Sequence, residues 1–209
     1  MSEPDWLGWS REIQAIAQSG LTFTTDPYDR DRYIQLRALA AQIMAAHSSA
    51  DASRIEELFA NQYGYATPKV DVRGAVFRDD KILMVREVSD GHRWTLPGGW
   101  ADVNLSVGDN VIKEVREESG FDVVITKLAA VWDRARQGHT PPLPFSVTRH
   151  FFICAITGGS AALSLETSEV GFFAEHDLPD DLSVARILPH QIARMFAHYR
   201  DPFLATEFE

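Results

Sequence analysis

Three glutamates between positions 114 and 118 have a spacing that could hold a metal ion. Glu114, Glu117 and Glu118 stand at positions i, i+3 and i+4 of a predicted helix, which places three carboxylates on one face. Like charges this close destabilise a helix by roughly 0.2 to 0.5 kcal/mol per pair, and a bound cation would reverse that sign. Hard oxygen ligands suit Mg²⁺, which is typically shared with substrate phosphates.

A glycine turn precedes the acidic helix. Pro97-Gly98-Gly99 lets the backbone turn sharply and approach a ligand closely, so a main-chain carbonyl could complete the coordination. Taken separately, three glutamates on a surface helix usually form a solvated face, and a double glycine is usually only a turn. Their joint occurrence at one spacing favours a metal site.

The segment from Gly99 to Phe121 resembles the Nudix box, whose pattern is Gly, five residues, Glu, seven residues, Arg-Glu, an aliphatic, any residue, Glu-Glu, any residue, Gly and an aliphatic. Two positions depart from it: Leu105 stands where the pattern has its first glutamate, and Lys113 replaces the arginine, which keeps the charge but loses the bidentate fork. The residues that fit are Gly99, Glu114, Val115, Glu117, Glu118 and Gly120, with Phe121 in the closing apolar position.

The departures from the box are similar to those of a Nudix subgroup with a helical N-terminal extension, which includes CDP-choline pyrophosphatase-like proteins. The resemblance extends over nearly the whole chain, although the box is its specific part. The other similar stretches are residues 26–30 with Tyr33, residues 67–73, residues 94–103, and Phe172-Phe173 before Leu178-Pro179.

The first 66 residues predict a helical domain. Apolar residues at helical spacing indicate amphipathic helices over about 4–17, which Gly20 would end, and over about 29–47. A short third helix begins near Ser53, where Ser53 and Glu56 have capping-box spacing. Inward side chains are expected at Tyr33, Leu36, Ala40, Ile43 and Met44 of the second helix and at Ile55, Leu58 and Phe59 of the third.

Residues 67–209 predict the catalytic domain, because short runs rich in valine, isoleucine and phenylalanine replace the helical spacing. The resemblance implies an α/β (α+β sandwich) Nudix fold, a mixed sheet between helices, preceded by a small three-helix domain. The expected elements are a hairpin over 70–77 and 81–85 around Asp79-Asp80, strands at 94–96, 128–132 and 147–156, a box helix that buries Val107, Val111 and Val115, and a final helix over 189–199.

Composition and charge narrow the class of protein. The chain has 209 residues, 45% hydrophobic and 24% charged, which is typical of an ordered globular protein. Its net charge of −10 argues against nucleic-acid binding, which usually requires a basic patch. A single cysteine, Cys154, excludes an internal disulfide, and no leader-like or membrane-length apolar stretch is present. We therefore expect a cytoplasmic protein with no nucleic-acid or membrane partner.

The family resemblance implies a Mg²⁺-dependent hydrolase, with Mn²⁺ as the alternative ion. The metal would be held by Glu114, Glu117, Glu118 and the Gly98 carbonyl, and Glu114 and Glu117 would be catalytic. Glu117 is the first choice for the base that takes a proton from the attacking water. The alternatives are Glu166 and Glu169, which lie before the Phe172-Phe173 strand and are more simply explained as surface acids.

Three residues outside the box are candidates for substrate binding. Arg86 ends an apolar strand and could hold a phosphate oxygen, or form a structural ion pair, for instance with Glu114. Trp132 could stack on a base, although aromatics in such segments are more often part of the core. His139 lies in a proline-rich loop, residues 137–144, of the kind that can shape a pocket.

The expected substrate is a small-molecule nucleoside diphosphate derivative, cut to a nucleoside monophosphate and a phosphate ester. CDP-choline is favoured from the subgroup, and ADP-ribose is the alternative because a box fixes the diphosphate chemistry rather than the flanking groups. A catalytically silent nucleotide-binding regulator is the hypothesis of another class, motivated by Leu105; the three retained glutamates argue against it. The N-terminal helices would pack on the catalytic domain, form a homodimer or recruit a protein partner.

Overall fold

The computed structural model describes residues 4–209, and the chain forms two compact units. One unit contains the residues up to Pro68 together with Pro142–Ser146, and the other contains Lys69–Pro141 and Val147–Glu209. The domain limits 1–66 and 67–209 stay a prediction. Within the described residues, none of the helices combines the length and apolarity that crossing a membrane requires.

Three helices make up the first unit: α1 (Asp5–Phe23), α2 (Pro27–Ala46) and α3 (Ala52–Ala60). Asp26 caps α2, because its side chain accepts hydrogen bonds from the N–H groups of Tyr28 and Asp29, and a proline occupies the first turn. The buried apolar residues that pack together in this unit are Leu7, Ala40, Ala41, Met44, Ile55 and Phe59.

Some details of the helical prediction are wrong. Gly20 does not end α1, which continues to Phe23. A Cβ at Gly20 would lie 2.4 Å from the ring of Tyr33, so the glycine allows α1 and α2 to approach each other. The cap of α3 is Asp51, which accepts from the N–H of Ser53, and Leu58 is exposed because it faces away from the small core.

The second unit is built on a mixed sheet, as predicted. The strand order is β3-β2-β1-β5-β4-β7, and β6 also pairs with β2. β1 with β5 and β4 with β7 are parallel pairs, and the remaining pairs are antiparallel. The strands are β1 (Lys69–Arg78), β2 (Lys81–Glu87), β3 (Arg93–Thr95), β4 (Phe121–Asp133), β5 (Val147–Gly159), β6 (Thr167–Ala174) and β7 (Glu207–Phe208), and the helices are α4 (Val107–Ser119) and α5 (Pro189–Arg200).

The predicted hairpin around Asp79-Asp80 is present, and its strands pair only near the turn. Both turn residues have positive φ, 49° and 56°. The paired positions are Phe77 with Ile82 and Arg78 with Lys81. Beyond them β1 runs beside β5, while β2 runs between β3 and β6. The two strands of the hairpin therefore belong mainly to different parts of the sheet.

Two clusters of buried apolar residues form the core of this unit. In one of them Val111 and Val115 of α4 pack with residues of β1, β2, β4 and β5, with Val107 partly buried, so the valine face of the box helix is confirmed. In the other, α5 packs its Ile192 and Met195 with strand residues. β7 has only two residues, too few to show a pattern in the sequence.

Candidate functional site

The glycine turn after β3 is held by the backbone of β1. The N–H of Val72 donates to the Gly99 carbonyl and that of Gly74 to the Pro97 carbonyl, both at 2.9 Å. Gly98 has a φ of 140°, and a Cβ there would lie 2.0 Å from the Val72 carbonyl oxygen. Only glycine fits this position, so the turn can present its main chain closely to a ligand.

The loop between the turn and α4 is fixed by one buried amide. The Asn110 Oδ1 atom accepts from the Asp102 N–H at 2.8 Å, and its Nδ2 donates to the Ser106 carbonyl at 3.0 Å. Ser106 also caps α4, because its hydroxyl accepts from the Asp109 N–H at 3.0 Å. The loop and the first turn of α4 thus have a defined position relative to the glycine turn.

The three glutamates of α4 have different surroundings. Glu118 is 4% exposed, and its Oε2 accepts from the Gly98 N–H at 2.8 Å. Burial raises its pKa to about 8. Glu114 is largely buried and its Oε2 lies 3.0 Å from where a Cβ of Gly99 would be. The side chain of Glu117 is 58% exposed. The pKa of Glu114 is also raised, mainly by burial, and the Glu166 charge adds to that rise.

Lys113, one of the two departures from the box, lies among carboxylates. Its Nζ is 2.9 Å from Asp102 Oδ2, 3.2 Å from Glu117 Oε2 and 3.9 Å from Glu114 Oε1. The Lys113 pKa is raised, mainly by the hydrogen bond with Asp102. Leu105, the other departure, has an exposed side chain. Asp102 thus supplies the carboxylate that pairs with the basic residue.

These residues fit a hard cation. The carboxylates of Glu114 and Glu118 lie at a turn where a side chain in place of Gly98 would collide with the Val72 carbonyl, and where one in place of Gly99 would press on Glu114. Within residues 4–209 no three His, Cys, Asp or Glu side chains are arranged to enclose a metal by themselves. Two carboxylates beside a glycine turn suit an ion such as Mg²⁺, which keeps several waters and takes further ligands from substrate phosphates.

Arg86 is fully engaged by structural partners. Its Nε donates to the His92 carbonyl at 2.6 Å, Nη1 to Glu169 Oε1 at 2.6 Å and Nη2 to Asp181 Oδ2 at 2.7 Å. The ion pair is therefore with these two acids rather than with Glu114. This placement favours a structural role over phosphate binding.

Trp132 and His139 also have partners inside the second unit. Trp132 lies in the core, with its ring centroid 5.1 Å from that of Phe151. His139 is buried; its Nδ1 lies 2.9 Å from the Val184 carbonyl oxygen and its Nε2 lies 3.1 Å from Arg149 Nη1. Burial lowers the His139 pKa to about 3. Both placements favour structural roles over contact with substrate.

A buried charge cluster on β1 and β5 was not assigned a role from the sequence. Arg73 donates from Nε and Nη2 to the two carboxylate oxygens of Asp71, at 2.9 and 2.8 Å. The Nε atom of Arg149 lies 3.1 Å from the same carboxylate. A signal was present, since Asp71 and Arg73 stand two residues apart in an apolar strand and therefore share one face of it.

The family follows from comparison with known proteins. The NUDIX domain model matches residues 67–194, and a model described as "UDP-X-like, N-terminal oligomerisation domain" matches residues 4–59. The chain therefore belongs to the Nudix family. It is a Nudix hydrolase, and the predicted fold, with a helical domain before the mixed sheet, is confirmed.

Similar proteins include enzymes with different named substrates. YjhB of Bacillus subtilis (strain 168), which carries ADP-ribose pyrophosphatase as a provisional name, is 44% identical over 98% of this chain and 97% of its own length. A crystal structure of a UDP-X diphosphatase is 33% identical with a TM-score of 0.63 and full coverage of both chains. An ADP-ribose pyrophosphatase structure from Streptococcus suis 89-1591 is 39% identical, with a TM-score of 0.62, over 68% of this chain and 100% of its own.

Proposed function

We propose that this chain is a Mg²⁺-dependent hydrolase of the diphosphate in a nucleoside diphosphate linked to another group. The observation that carries the proposal is the gathering of the Glu114 and Glu118 carboxylates at the Gly98–Gly99 turn. Glu117 and the Gly98 carbonyl would complete the protein ligands, with Mn²⁺ as an alternative ion. When bound, the cation would grip the diphosphate and lower the pKa of the attacking water.

Glu117 is the proposed base of the reaction. It is the most exposed of the three glutamates, so its carboxylate can reach a water molecule, and Lys113 holds it at 3.2 Å. Glu166 is the alternative, because it is exposed and its charge acts on Glu114. Glu169 is less suited, since Arg86 occupies its carboxylate.

Two substrate classes are supported by different observations. ADP-ribose is supported by the names of YjhB and of the Streptococcus suis enzyme. A pyrimidine nucleoside diphosphate, with CDP-choline as the member predicted from the subgroup, is supported by the N-terminal domain model and by the full-length likeness to a UDP-X diphosphatase. Both share the diphosphate that the metal site would recognise, and the groups on either side decide between them.

Product analysis by mass spectrometry tests the proposal. The protein is incubated with Mg²⁺ and, separately, ADP-ribose, CDP-choline and a UDP-linked sugar. We expect a nucleoside monophosphate and a phosphate ester from at least one of them, with turnover reduced roughly 10²- to 10⁴-fold in Glu117→Gln and near normal in Glu166→Gln. Ligand binding without any cleavage would instead support the silent regulator, and the reverse order of the two variants would make Glu166 the base.

We further propose that the helical unit forms a homodimer through one face of α1. Trp9, Ile16 and Phe23 recur every seven residues, which keeps them on one face, and they are 62%, 52% and 57% exposed. The family model for this segment is named for oligomerisation. Light scattering should report a dimer that Trp9→Ser/Ile16→Ser converts to a monomer, while Leu165→Ser, on an exposed leucine of the other unit, leaves it intact. A monomeric unmodified protein would contradict the proposal.

A further inference from the structure

Arg73 connects the buried charges of β1 to the glycine turn. Its side chain is 1% exposed, and two of its nitrogens are fixed by the Asp71 carboxylate. The remaining terminal nitrogen, Nη1, donates to the Leu96 carbonyl at 3.2 Å. Leu96 lies two residues before Gly98, so the guanidinium holds the chain where it enters the turn.

The same turn is also held by the box helix. The Gly98 N–H donates to Glu118 at 2.8 Å, and the charges of Arg73 and Glu118 interact with each other. Arg73 therefore acts on two of the proposed metal ligands: on the Gly98 main chain through the Leu96 carbonyl, and on the Glu118 carboxylate through its charge. A lysine could not do so, since one ammonium lacks the planar fork that serves a carboxylate and a carbonyl together.

We infer that Asp71 and Arg73 are a positioning pair for the metal site: Asp71 orients the guanidinium, which sets the approach of Leu96 to the turn and stabilises the Glu118 carboxylate beside it. The inference rests on the proposed metal-dependent function. Neither residue need touch the ion or the substrate. Residues that orient metal ligands in this way typically change metal affinity by about 10- to 100-fold when replaced.

Arg149 provides a matched control. It is also buried, and its Nε lies 3.1 Å from the same Asp71 carboxylate. Its other contacts are His139, whose Nε2 lies 3.1 Å from Arg149 Nη1, and the carbonyls of Ala185, at 3.2 Å, and Arg186; all of them lie in loops other than the glycine turn. Replacing Arg149 disturbs the same buried cluster without removing a hydrogen bond of the turn.

The experiment measures Mn²⁺ binding to the substrate-free full-length protein by electron paramagnetic resonance, together with thermal unfolding. The variants are Arg73→Lys, Arg149→Lys and Glu118→Gln. We expect Mn²⁺ affinity to fall by about 10- to 100-fold in Arg73→Lys and by less than about threefold in Arg149→Lys, although both lower the unfolding temperature. Asp71→Glu keeps both charges and displaces the guanidinium of Arg73 by one methylene, so it should give an intermediate loss of Mn²⁺ affinity. This variant replaces Arg73→Lys in the test if Arg73→Lys does not fold.

The outcomes separate this inference from the function on which it rests. The proposed metal site is supported if the unmodified protein binds Mn²⁺ and Glu118→Gln does not. In that case, a normal Mn²⁺ affinity in folded Arg73→Lys overturns the positioning role. If Arg73→Lys does not fold, a normal affinity in Asp71→Glu overturns it. An equal loss in Arg149→Lys also overturns it, because the effect would then be general disturbance of the core. If the unmodified protein binds no Mn²⁺, or if Glu118→Gln binds normally, the proposed metal site fails and the inference fails with it.

Discussion

Two charge networks flank the acidic helix, and they differ in burial. The inner network, Asp71 with Arg73 and Arg149, is almost fully buried and fixed by several hydrogen bonds. The outer network, Asp102, Lys113 and Glu117, has side chains between 37% and 58% exposed. Each network includes or interacts with a box residue: the charge of Glu118 interacts with that of Arg73, and Glu117 belongs to the outer network.

The difference in burial shows how one helix face can both hold metal ligands in place and present a mobile carboxylate to solvent. Buried charges must be paired and hydrogen-bonded, so the inner network is rigid and breaking it is costly. Exposed ion pairs contribute little to stability and their side chains keep their mobility. The inner network suits the holding of ligands in place, whereas the outer one suits a carboxylate that must move a proton.

The largest effect should come from Glu118→Gln. Losing the metal-ligand oxygen proposed for Glu118 should reduce turnover roughly 10³-fold, which corresponds to several kcal/mol of lost charge stabilisation. Steady-state kinetics at saturating Mg²⁺ measures it. The control is Asp122→Asn. Asp122 is an exposed β4 residue that pairs with Arg116, which lies on the same helix as Glu118, and this variant should keep normal turnover. Near-normal turnover in Glu118→Gln would show that the Glu118 carboxylate has only a structural role.

The next effect is on stability, through Asp71→Asn. Removing one charge of a buried network leaves the others unpaired, and the free energy of unfolding should fall by about 3 to 5 kcal/mol. Chemical denaturation measures this change. Asp102→Asn in the outer network should leave the denaturation midpoint unchanged. Equal losses in the two variants would contradict the distinction between the networks.

A third prediction concerns pH and His139, which contacts the inner network through Arg149. Its pKa is lowered from 6.5 to about 3 in the folded protein, mainly by burial, so the unfolded chain binds a proton that the folded one does not between these values. The contribution of neutral His139 to the free energy of unfolding is therefore complete above about pH 6.5. As the pH falls below that value, the free energy of unfolding decreases by about 1.4 kcal/mol per pH unit.

Between pH 6.5 and pH 5 the loss from His139 should reach roughly 2 kcal/mol. The measurement is urea denaturation of the unmodified protein and of His139→Gln at pH 7 and pH 5. The variant cannot take up this proton, so its stability should depend less on pH over that range. Identical pH dependence in both proteins would show that His139 is not the group responsible.

The smallest effect should come from Asp102 in the outer network. Asp102→Ala removes the nearest carboxylate partner of Lys113 and should reduce turnover by about tenfold, with Mn²⁺ binding and the unfolding temperature unchanged. Adding Leu105→Glu restores an acid at the position that the box pattern assigns to glutamate, and should recover most of the turnover. No recovery in the double variant would mean that Asp102 does not compensate for Leu105.

Much of the fold was determined by local sequence signals. The box helix, its valine face, the glycine turn and the Asp79-Asp80 hairpin depend on residues close together in the chain, so spacing and turn chemistry are sufficient to predict them. The position of Gly20 inside α1 was not predictable in this way. Its reason is the ring of Tyr33 on another helix.

The environment of the site was decided by tertiary structure. Spacing places Glu114, Glu117 and Glu118 on one face of a helix, but it cannot say that Glu118 is buried against Gly98 while Glu117 faces solvent. Likewise, Arg86 as a strand-end arginine gives no indication that Glu169 and Asp181 will occupy it. Periodicity is a property of neighbouring residues, whereas burial and ion pairing depend on which distant segments the fold brings together.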